Sequence, residues 1–343
     1  MLTEQVGFLD FIAAERTQLV VPVYQRVYAW NALQCDTLYR DALRAGRTGG
    51  AHFIGTVLFA PEEPGENGIA RADIIDGQQR AATVTLLLAA LRDHLEETKT
   101  ELDSLSAADI SRRFLHVDGN PASRKLLLGR VDDATLRAVI EKEEPPQGDD
   151  LSANVVETYE RFREKMRGEF TVEDAQNLMT GLRRLYIVAA KLEDDDRAQL
   201  IFESLNSKGM PLTTGDLVRN LLLVNIEHEE QTRLYETYWE PIERLYADDE
   251  GGVRLGAALH GWLAVTAPKL KANGKDDVYP AFKTYLEDMH EGTLEELLIG
   301  LSGFCRTFAA RSQASSASRN LAHDSWGDGK VRGIISEKKL FGE

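Results

Sequence analysis

Apolar residues recur along the chain with two different spacings, one typical of strands and one typical of helices. Four short β-rich runs, at Leu19–Val23, His52–Phe59, Ala72–Ile75 and Leu185–Leu192, predict the strands of one sheet. From Ala81 to Leu95 the apolar positions follow a helical period, which predicts a helix that packs on that sheet. The pattern as a whole predicts an α+β fold.

Helical spacing dominates the rest of the chain. It predicts amphipathic helices at Leu151–Gly168 and Val172–Arg184, and further helices from Leu234 to Phe308. The order of the elements within 96–184 does not follow from the pattern. We expect three parts: a domain at residues 1–225 with a helical insertion near 96–184, an α-helical domain at 226–310, and a linker or tail at 311–343.

Composition and charge narrow the class of protein. The chain of 343 residues carries a formal net charge of −16, which excludes nonspecific binding to nucleic acid through bulk charge. Its cysteines lie far apart and form no CxxC pair, so we expect neither a disulfide scaffold nor a thiolate zinc site. The sequence shows no secretory signal and no apolar stretch long enough for a membrane span. We therefore expect a cytoplasmic protein with no membrane partner.

The polar turn Asp76-Gly77-Gln78-Gln79-Arg80 separates a predicted strand from the predicted helix that starts at Ala81. Such a corner presents backbone N–H groups and polar side chains, a geometry that suits phosphate groups. The alternative is a capped turn in which Arg80 pairs with a nearby carboxylate. A single short motif does not decide between the two interpretations.

Aromatic and polar residues are concentrated between Tyr24 and Trp30. Arg26 lies between Tyr24 and Tyr28, where its guanidinium could hold a phosphate group or stack on a base. The alternative is an aromatic corner that packs on the core and leaves the arginine at the surface. This segment alone leaves both interpretations open.

Capping residues mark the start of two helices. Asn31 is expected to cap the helix that follows the aromatic segment. Thr213, with Asp216 three residues later, has the spacing of a capping box and predicts a helix through Val224.

Three other polar positions have both a structural and a functional interpretation. His52 opens a predicted strand, and it would approach Asp76 if the two strands that meet near the polar turn pair antiparallel. The adjacent carboxylates of Asp194–Asp196 suit a solvated helix start better than a metal site, because neighbouring side chains diverge. Asn206 and Lys208 lie at a corner between two predicted helices, for which a well-capped turn is a sufficient explanation.

Four segments match one protein family in type and order. They are Val21–Trp30, His52–Gly55, Ile75–Arg80 and Phe202–Asp216. Together they resemble the N-terminal domain of GmrSD-type modification-dependent restriction proteins, and they are similar to the SspE effectors of phosphorothioate-sensing phage defence. The resemblance covers about residues 5–225, and only the combination of the four segments is specific.

The resemblance implies a ParB/sulfiredoxin-like core, in which helices pack on a small mixed sheet, followed by an α-helical domain. It also implies hydrolysis of a nucleoside triphosphate, GTP or ATP, with Mg²⁺ as cofactor, coupled to the sensing of modified DNA such as phosphorothioate DNA. Relatives carry a C-terminal HNH nuclease domain, but no His-Asn-His constellation occurs here. We therefore expect the chain to be the sensor part, and we leave open whether it forms a homodimer.

Phosphate chemistry assigns roles within this resemblance. The sequence has no GxxxxGK[ST] stretch, so any nucleotide chemistry is not of the P-loop type. Arg80 and Arg26 are the expected phosphate clamps, because guanidinium groups bind phosphoryl oxygens bidentately. Gln78 or Gln79 is expected to orient the attacking water. Asp76 is expected to hold a divalent cation or to orient Arg80.

Two further sets of residues complete the expected site. Tyr24, Tyr28 and Trp30 are expected to form an apolar pocket for a base or for a sulfur-substituted DNA backbone. The residues expected to bind nucleotide are Tyr24, Gln25, Arg26, His52, Gly77, Asn206 and Lys208.

Two other functions compete with nucleotide hydrolysis. One is a ParB-like module that binds nucleotide or DNA without turnover. The other is sulfiredoxin-like redox chemistry, which requires a reactive cysteine at the phosphate corner. Cys35 lies instead within a predicted helix, so the redox function is disfavoured.

Overall fold

The computed structural model describes residues 1–103, 105–193, 196, 212–224, 226–247, 252–270 and 275–311. Contacts along the chain divide it into two compact units. The first comprises Met1–Pro211 with Val224–His228, and the second comprises Leu212–Leu223 with Glu229–Glu343. The helix Thr214–Leu223, which the sequence pattern places in the first domain, belongs to the second unit.

The first unit is built on a six-stranded mixed sheet. The strands lie side by side in the order β1 (Leu2–Gly7), β6 (Leu185–Lys191), β3 (His52–Glu62), β4 (Ala70–Asp76), β2 (Thr17–Val20) and β5 (Leu126–Leu127). The pairs β1–β6 and β3–β4 are antiparallel, and β6–β3, β4–β2 and β2–β5 are parallel. The predicted α+β fold is confirmed, while the ParB-like topology stays a prediction.

The sequence pattern does not predict the two edge strands. The residues of β1 from Leu2 to Gln5 are exposed, so no buried face marks the strand, and it forms by pairing with β6. The other edge, β5, is two residues long and pairs with β2 at Leu19 and Val20. The insertion near 96–184 is therefore not purely helical, because it contributes this edge of the sheet.

One long helix forms the centre of the first unit. The described helices of this unit are α1 (Phe8–Ile12), α2 (Ala32–Thr48), α3 (Gln78–Thr98), α4 (Ala107–Ile110), α5 (Arg130–Glu141), α6 (Ala153–Lys165) and α7 (Val172–Leu182). Of the 21 residues of the central helix, α3, 16 are buried, because it also packs against α4, α5 and α6 of the insertion. A helix covered on several sides is apolar nearly all round, which explains its weak amphipathic pattern.

Both predicted helix starts are confirmed. The Asn31 side chain accepts a hydrogen bond from the N–H of Leu33 at 2.9 Å, and the N–H of Asn31 donates to Gln34 Oε1 at 3.1 Å. At the second start, the N–H of Asp216 donates to Thr213 Oγ1 at 3.1 Å, and the N–H of Thr213 donates to Asp216 Oδ2 at 3.0 Å. These reciprocal bonds satisfy backbone donors that the first turn of a helix leaves unpaired.

The C-terminal region is helical, as predicted. None of the described helices is long and apolar enough to cross a membrane. After the sheet, the described helices are α8 (Thr214–Leu223), α9 (His228–Leu234), α10 (Glu240–Leu245), α11 (Val253–Thr266), α12 (Lys275–Asp288) and α13 (294–311).

A buried ion network holds the second unit together. The side chain of Arg219 on α8 is 2% exposed; its Nη2 donates to Asp216 at 2.8 Å, and its Nη1 donates to Glu243. Glu243 also accepts hydrogen bonds from the Tyr235 hydroxyl at 2.8 Å and from the Trp239 indole at 3.0 Å. Burial lowers the affinity of Arg219 for its proton, but the two carboxylates outweigh it and leave the pKa of Arg219 raised.

Candidate functional site

The polar turn of the sequence forms a tight corner between β4 and α3. Asp76 ends β4, Gly77 adopts the left-handed conformation with φ of 107°, and Gln78 begins α3. A Cβ atom on Gly77 would lie 2.8 Å from Cγ2 of Val57. Both the backbone angle and the close approach of β3 therefore require glycine here.

Arg80, in the first turn of α3, folds back over this corner. Its Nη1 donates to the Ile54 carbonyl at 3.0 Å, and its Nη2 donates to Asp76 Oδ2 at 3.4 Å. Gly55 makes room for it, because a Cβ atom there would lie 2.1 Å from Nη1 of Arg80. The His52–Gly55 segment thus serves the corner through its glycine, a role that the sequence analysis did not assign.

Charges at the corner act on one another. Burial raises the pKa of Asp76, while Arg80, the N–H of Gly77 and the charge of Arg26 oppose that rise. Burial also lowers the pKa of Arg80, and Asp76 opposes this shift. Two guanidinium groups, those of Arg80 and Arg26, therefore act on the Asp76 carboxylate.

The two glutamines of the motif connect the corner to the aromatic segment. The amide nitrogen of Gln78 donates to Gln25 Oε1 at 3.2 Å. Gln79 accepts from the N–H of Ala29 at 2.8 Å and donates to the Val27 carbonyl at 3.3 Å. Because both ends of the Gln79 amide hold backbone groups, this side chain fixes the position of the segment.

The aromatic segment lies against the core. Tyr24 and Tyr28 are each 2% exposed, and Trp30 is partly buried against the core cluster. Burial, with a contribution from the nearby Asp73, raises the pKa of the Tyr24 phenol. The Tyr28 hydroxyl lies 2.7 Å from Thr83 Oγ1 on α3, so the ring packs inside the unit.

Residues of the insertion hold the same segment from the other side. Asp132 on α5 accepts hydrogen bonds from the N–H of Tyr28 and from the Ser152 hydroxyl, both at 2.5 Å. Asn154 donates to the Tyr28 carbonyl at 2.9 Å. Burial raises the pKa of Asp132, and these two donors to its carboxylate oppose the rise. Sequence reasoning missed these residues, and no local signal marks them.

A cavity lies between the corner and the aromatic segment, but it is small. Its volume of about 10 Å³ corresponds to room for one water molecule. Arg26, Gln78 and Asp132 are among its lining residues. A cavity of this size has no room for a nucleotide.

His52 does not lie at the corner. The strands β3 and β4 do pair antiparallel, but the register places Asp76 opposite Leu58, six residues further along β3 than His52. At about 3.3 Å per residue, the two side chains are separated by roughly 20 Å along the sheet. The expected approach of His52 to Asp76 is therefore wrong, and His52 Nε2 instead lies 3.2 Å from Asp41 Oδ2.

Asn206 and Lys208 lie outside the described residues, as does most of the segment from Asp194 to Asp196. Among the described residues, no group of three His, Cys, Asp or Glu side chains is arranged to hold a metal ion. Among the described residues, Asp76 is the carboxylate that pairs with Arg80 at the corner.

Comparison with protein families supports the resemblance on which the site was predicted. The sequence profile described as GmrSD restriction endonuclease, N-terminal domain, matches residues 8–223. The chain belongs to this family. The matched GmrSD domain contains strands β2, β3, β4, β5 and β6, the corner and the insertion, and it begins directly after β1. Among curated proteins, none matches the sequence.

Membership in the GmrSD family associates the chain with DNA restriction and supports a role in phage defence. The name of the family describes an N-terminal domain of an endonuclease, which implies DNA and a C-terminal nuclease domain as partners. The expected family is confirmed on this ground, whereas the separate similarity to SspE effectors stays a prediction.

Replacing Gly55 with alanine is expected to displace the Arg80 guanidinium and to destabilise the first unit by about 1–3 kcal/mol. The new Cβ would collide with Nη1 of Arg80, and the φ of 113° strains any L side chain. We expect a lower melting temperature and weaker binding of a labelled nucleoside triphosphate.

Gly49→Ala is the matched control for Gly55→Ala. Gly49 also has a positive φ, of 72°, but nothing lies within 4 Å of an added Cβ atom. This variant therefore carries backbone strain without the collision, and its nucleotide affinity should equal that of the wild type. If the two variants bind nucleotide equally well, Arg80 does not depend on Gly55.

Asp73, three residues before Asp76 on β4, predicts a dependence of stability on pH. Burial and the charge of Glu62 raise the pKa of Asp73 to about 6, while Arg71 opposes the rise. Among the described residues, Asp73 Oδ1 has no hydrogen-bond partner. Because the folded pKa lies above the unfolded value of 3.8, the contribution of Asp73 to stability is full below pH 3.8 and is lost as pH rises through about 6.

Asp73→Asn should therefore raise the free energy of unfolding at pH 7.5 by about 1–3 kcal/mol, with a smaller gain at pH 4.5. Urea unfolding at the two pH values measures both effects. The exposed Asp103→Asn serves as the control and should change little at either pH. A variant that loses stability at pH 7.5 would show that the ionised Asp73 carboxylate is stabilised in the folded state.

Proposed function

We propose that the chain binds a nucleoside triphosphate at the Asp76–Arg80 corner, hydrolyses it, and couples hydrolysis to the sensing of modified DNA. In this proposal the coupled change controls a C-terminal nuclease domain. The observation that carries it is the position of Arg80 and Arg26, whose charges both act on Asp76 at the start of α3. The corner thus brings two guanidinium groups to bear on one carboxylate at the N-terminus of a long helix.

The chemistry of this corner suits a triphosphate. The first N–H groups of a helix have no partners within the helix, and its dipole favours negative charge at that end. Guanidinium groups bind phosphoryl oxygens and stabilise the charge that develops as the terminal phosphate leaves. The Arg80 side chain is 16% exposed, so its interaction with phosphate would be weakly screened by solvent.

Within this proposal the two glutamines have different roles. The Oε1 atom of Gln78 is the better candidate to orient the attacking water, since the Gln78 side chain lines the water-sized cavity and its nitrogen is held by Gln25. Gln79 positions the aromatic segment through Val27 and Ala29. Asp76 would hold Mg²⁺, which neutralises phosphate charge when it is bound.

The coupling to DNA runs through the same hydrogen bonds. Gln78 and Gln79 connect the corner to the segment that contains Tyr24, Tyr28 and Trp30. A shift of α3 on nucleotide binding would move this segment. A base or a sulfur-substituted backbone bound at Trp30, which is less buried than Tyr24 and Tyr28, would in turn bias the corner. Binding free energies coupled in this way are reciprocal, so DNA should change nucleotide affinity as nucleotide changes DNA affinity.

A non-catalytic binding module is the second candidate function. It is favoured by one observation: Arg80 is already bonded to Ile54 and Asp76, and the adjacent cavity holds no more than a water molecule. Such a corner could report nucleotide binding without turnover.

Phosphate release from GTP and from ATP, with and without phosphorothioate DNA, tests the proposal. We expect hydrolysis of at least one nucleotide and a change in its rate on addition of modified DNA. If no nucleotide is hydrolysed under any condition while Arg80→Ala still abolishes nucleotide binding, the chain is a binding module.

A further inference from the structure

A second cavity in the described part of the first unit lies far from the Asp76–Arg80 corner. Its volume is about 320 Å³, at the lower end of the range of ligand pockets. It opens beside the starts of β2 and β5, where Thr17 and Leu126 begin these strands. The residues that line it are Ala13, Glu15, Arg112, Arg113, Asp118 and Lys125.

The register of the sheet shows that this cavity is a separate site. β2 and β4 are parallel, and Thr17 pairs with Ala70 at the start of β4. Asp76 ends β4 six residues later. At about 3.3 Å per residue, the cavity and the corner lie roughly 20 Å apart, at opposite ends of these strands.

A buried cation forms the floor of the cavity. Lys125 is 2% exposed, and its ammonium donates to the carbonyl of Ala14 and, at 3.5 Å, to that of Thr17. An ammonium has three donors, so these carbonyls leave one donor for another ligand. Within the described part of the chain, this ammonium donates hydrogen bonds to these carbonyls, while Asp118 and Glu15 act on it only through their charges. A buried charge without a directly bonded counter-ion is costly.

The rim of the cavity carries both signs of charge. Arg112 and Arg113 come from one wide helical turn, Ser111–Leu115, of the kind that occurs often at functional sites. Arg113 is exposed and lies 5.3 Å from the Phe114 ring centroid, with no carboxylate of the described residues within 4 Å. Arg112 pairs with Asp109 at 2.8 Å.

Two rim carboxylates complete the arrangement. Glu15 and Asp118 are exposed, so their charges are solvated, whereas the positive charge of Lys125 is enclosed. Burial lowers the pKa of Lys125, and Asp118 and Glu15 oppose this shift. An anionic group would thus be favoured on the floor, and a group with N–H or O–H donors would be favoured at the rim.

We propose that this cavity binds a nucleotide, with its phosphate group between Lys125 and Arg113 and with Glu15 and Asp118 accepting hydrogen bonds from the base or sugar. The nucleotide is either a free mononucleotide or a unit of a DNA strand, since both present the same phosphate and donor groups. The site is independent of the Asp76–Arg80 corner, and it places a cationic contact for nucleotides on a chain whose net charge is −16.

Binding measurements with the full chain test the site. Fluorescein-labelled GMP and a fluorescein-labelled 20-base DNA strand are titrated into the wild type, Arg113→Ala, Lys125→Met and Arg137→Ala. Arg137 is the matched control, because it is an exposed arginine of the same insertion that pairs with Glu143. Arg113 is exposed, so its removal leaves the fold intact even if Lys125→Met unfolds the unit.

We expect Arg113→Ala to weaken the affinity for one probe by about tenfold, the loss expected for one charge-assisted contact, and Arg137→Ala to leave it unchanged. If Arg113→Ala loses affinity only for GMP, the ligand is a free nucleotide. If it loses affinity for the DNA strand, and the slope of log affinity against log salt concentration becomes shallower by about one, the ligand is DNA. Equal affinities of wild type and Arg113→Ala for both probes would overturn the inference.

The same proteins separate this inference from the proposed function. Arg113→Ala should hydrolyse nucleoside triphosphate at the wild-type rate, whereas Arg80→Ala should not. If Arg80→Ala changes neither nucleotide binding nor hydrolysis while Arg113→Ala weakens binding of a probe, the proposed function of the corner is overturned and the nucleotide site in the cavity is supported.

Discussion

Arg80→Ala is expected to lower the rate of nucleoside triphosphate hydrolysis by about 10²–10³-fold. This is the loss seen when a preorganised group that stabilises developing charge is removed from a buried site. The side chain is 16% exposed and is held by Ile54 and Asp76, so little reorganisation is needed when phosphate binds. Phosphate release over a range of nucleotide concentrations measures the effect and separates kcat from KM.

Arg80→Lys separates the contribution of the positive charge from that of the guanidinium geometry. Lysine keeps the positive charge but cannot hold the Ile54 carbonyl and a phosphate group through one planar fork, so an intermediate rate is expected. Arg44→Ala is the control, since it removes an exposed arginine that pairs with Asp41 on α2. Hydrolysis by Arg80→Ala at the wild-type rate, with an unchanged circular dichroism spectrum, would place the chemistry elsewhere.

Arg219→Ala is expected to destabilise the second unit by about 3–5 kcal/mol. The substitution leaves Asp216 and Glu243 without the cation that both of them contact inside the helical unit. Urea unfolding followed by tryptophan fluorescence is a suitable measurement, because the Trp239 indole donates to the same Glu243 carboxylate.

Two further variants test the cause of this loss. Arg219→Met with Glu243→Gln removes both charges and should recover part of the stability, since replacing a buried ion pair costs less than breaking it. Arg244→Ala removes an exposed arginine that pairs with Glu240 one turn away, and it should change the free energy of unfolding by less than about 0.5 kcal/mol. A loss below about 1 kcal/mol for Arg219→Ala would contradict a stabilising role of the network.

Local structure followed from local sequence. The strands at Ala72–Ile75 and Leu185–Leu192 and the helix caps at Asn31 and Thr213 were predictable, because hydrophobic period and capping depend on residues a few positions apart. The edge strand β1 was not predictable, since its exposed residues carry no buried face and it depends on pairing with β6.

The candidate site also combines features that local sequence predicts with features that depend on distant residues. The corner at Asp76–Arg80 and the aromatic segment were recognised from residue types and from their order along the chain. Their partners were not, because the bonds from Gln79 to Ala29 and from Asp132 to Tyr28 span 50 and 104 residues. The position of His52 depended on strand register, which the local pattern does not determine.

The sequence by itself therefore determined the α+β class, the family and the residues of the polar corner, because these follow from periodicity, composition and motif order. Only the tertiary structure decided that Gly55 makes room for Arg80, that Gln79 holds the aromatic segment, and that Lys125 forms the floor of a separate cavity. Each of these contacts joins residues distant in the chain, and the register of the sheet and the packing of the insertion bring them together.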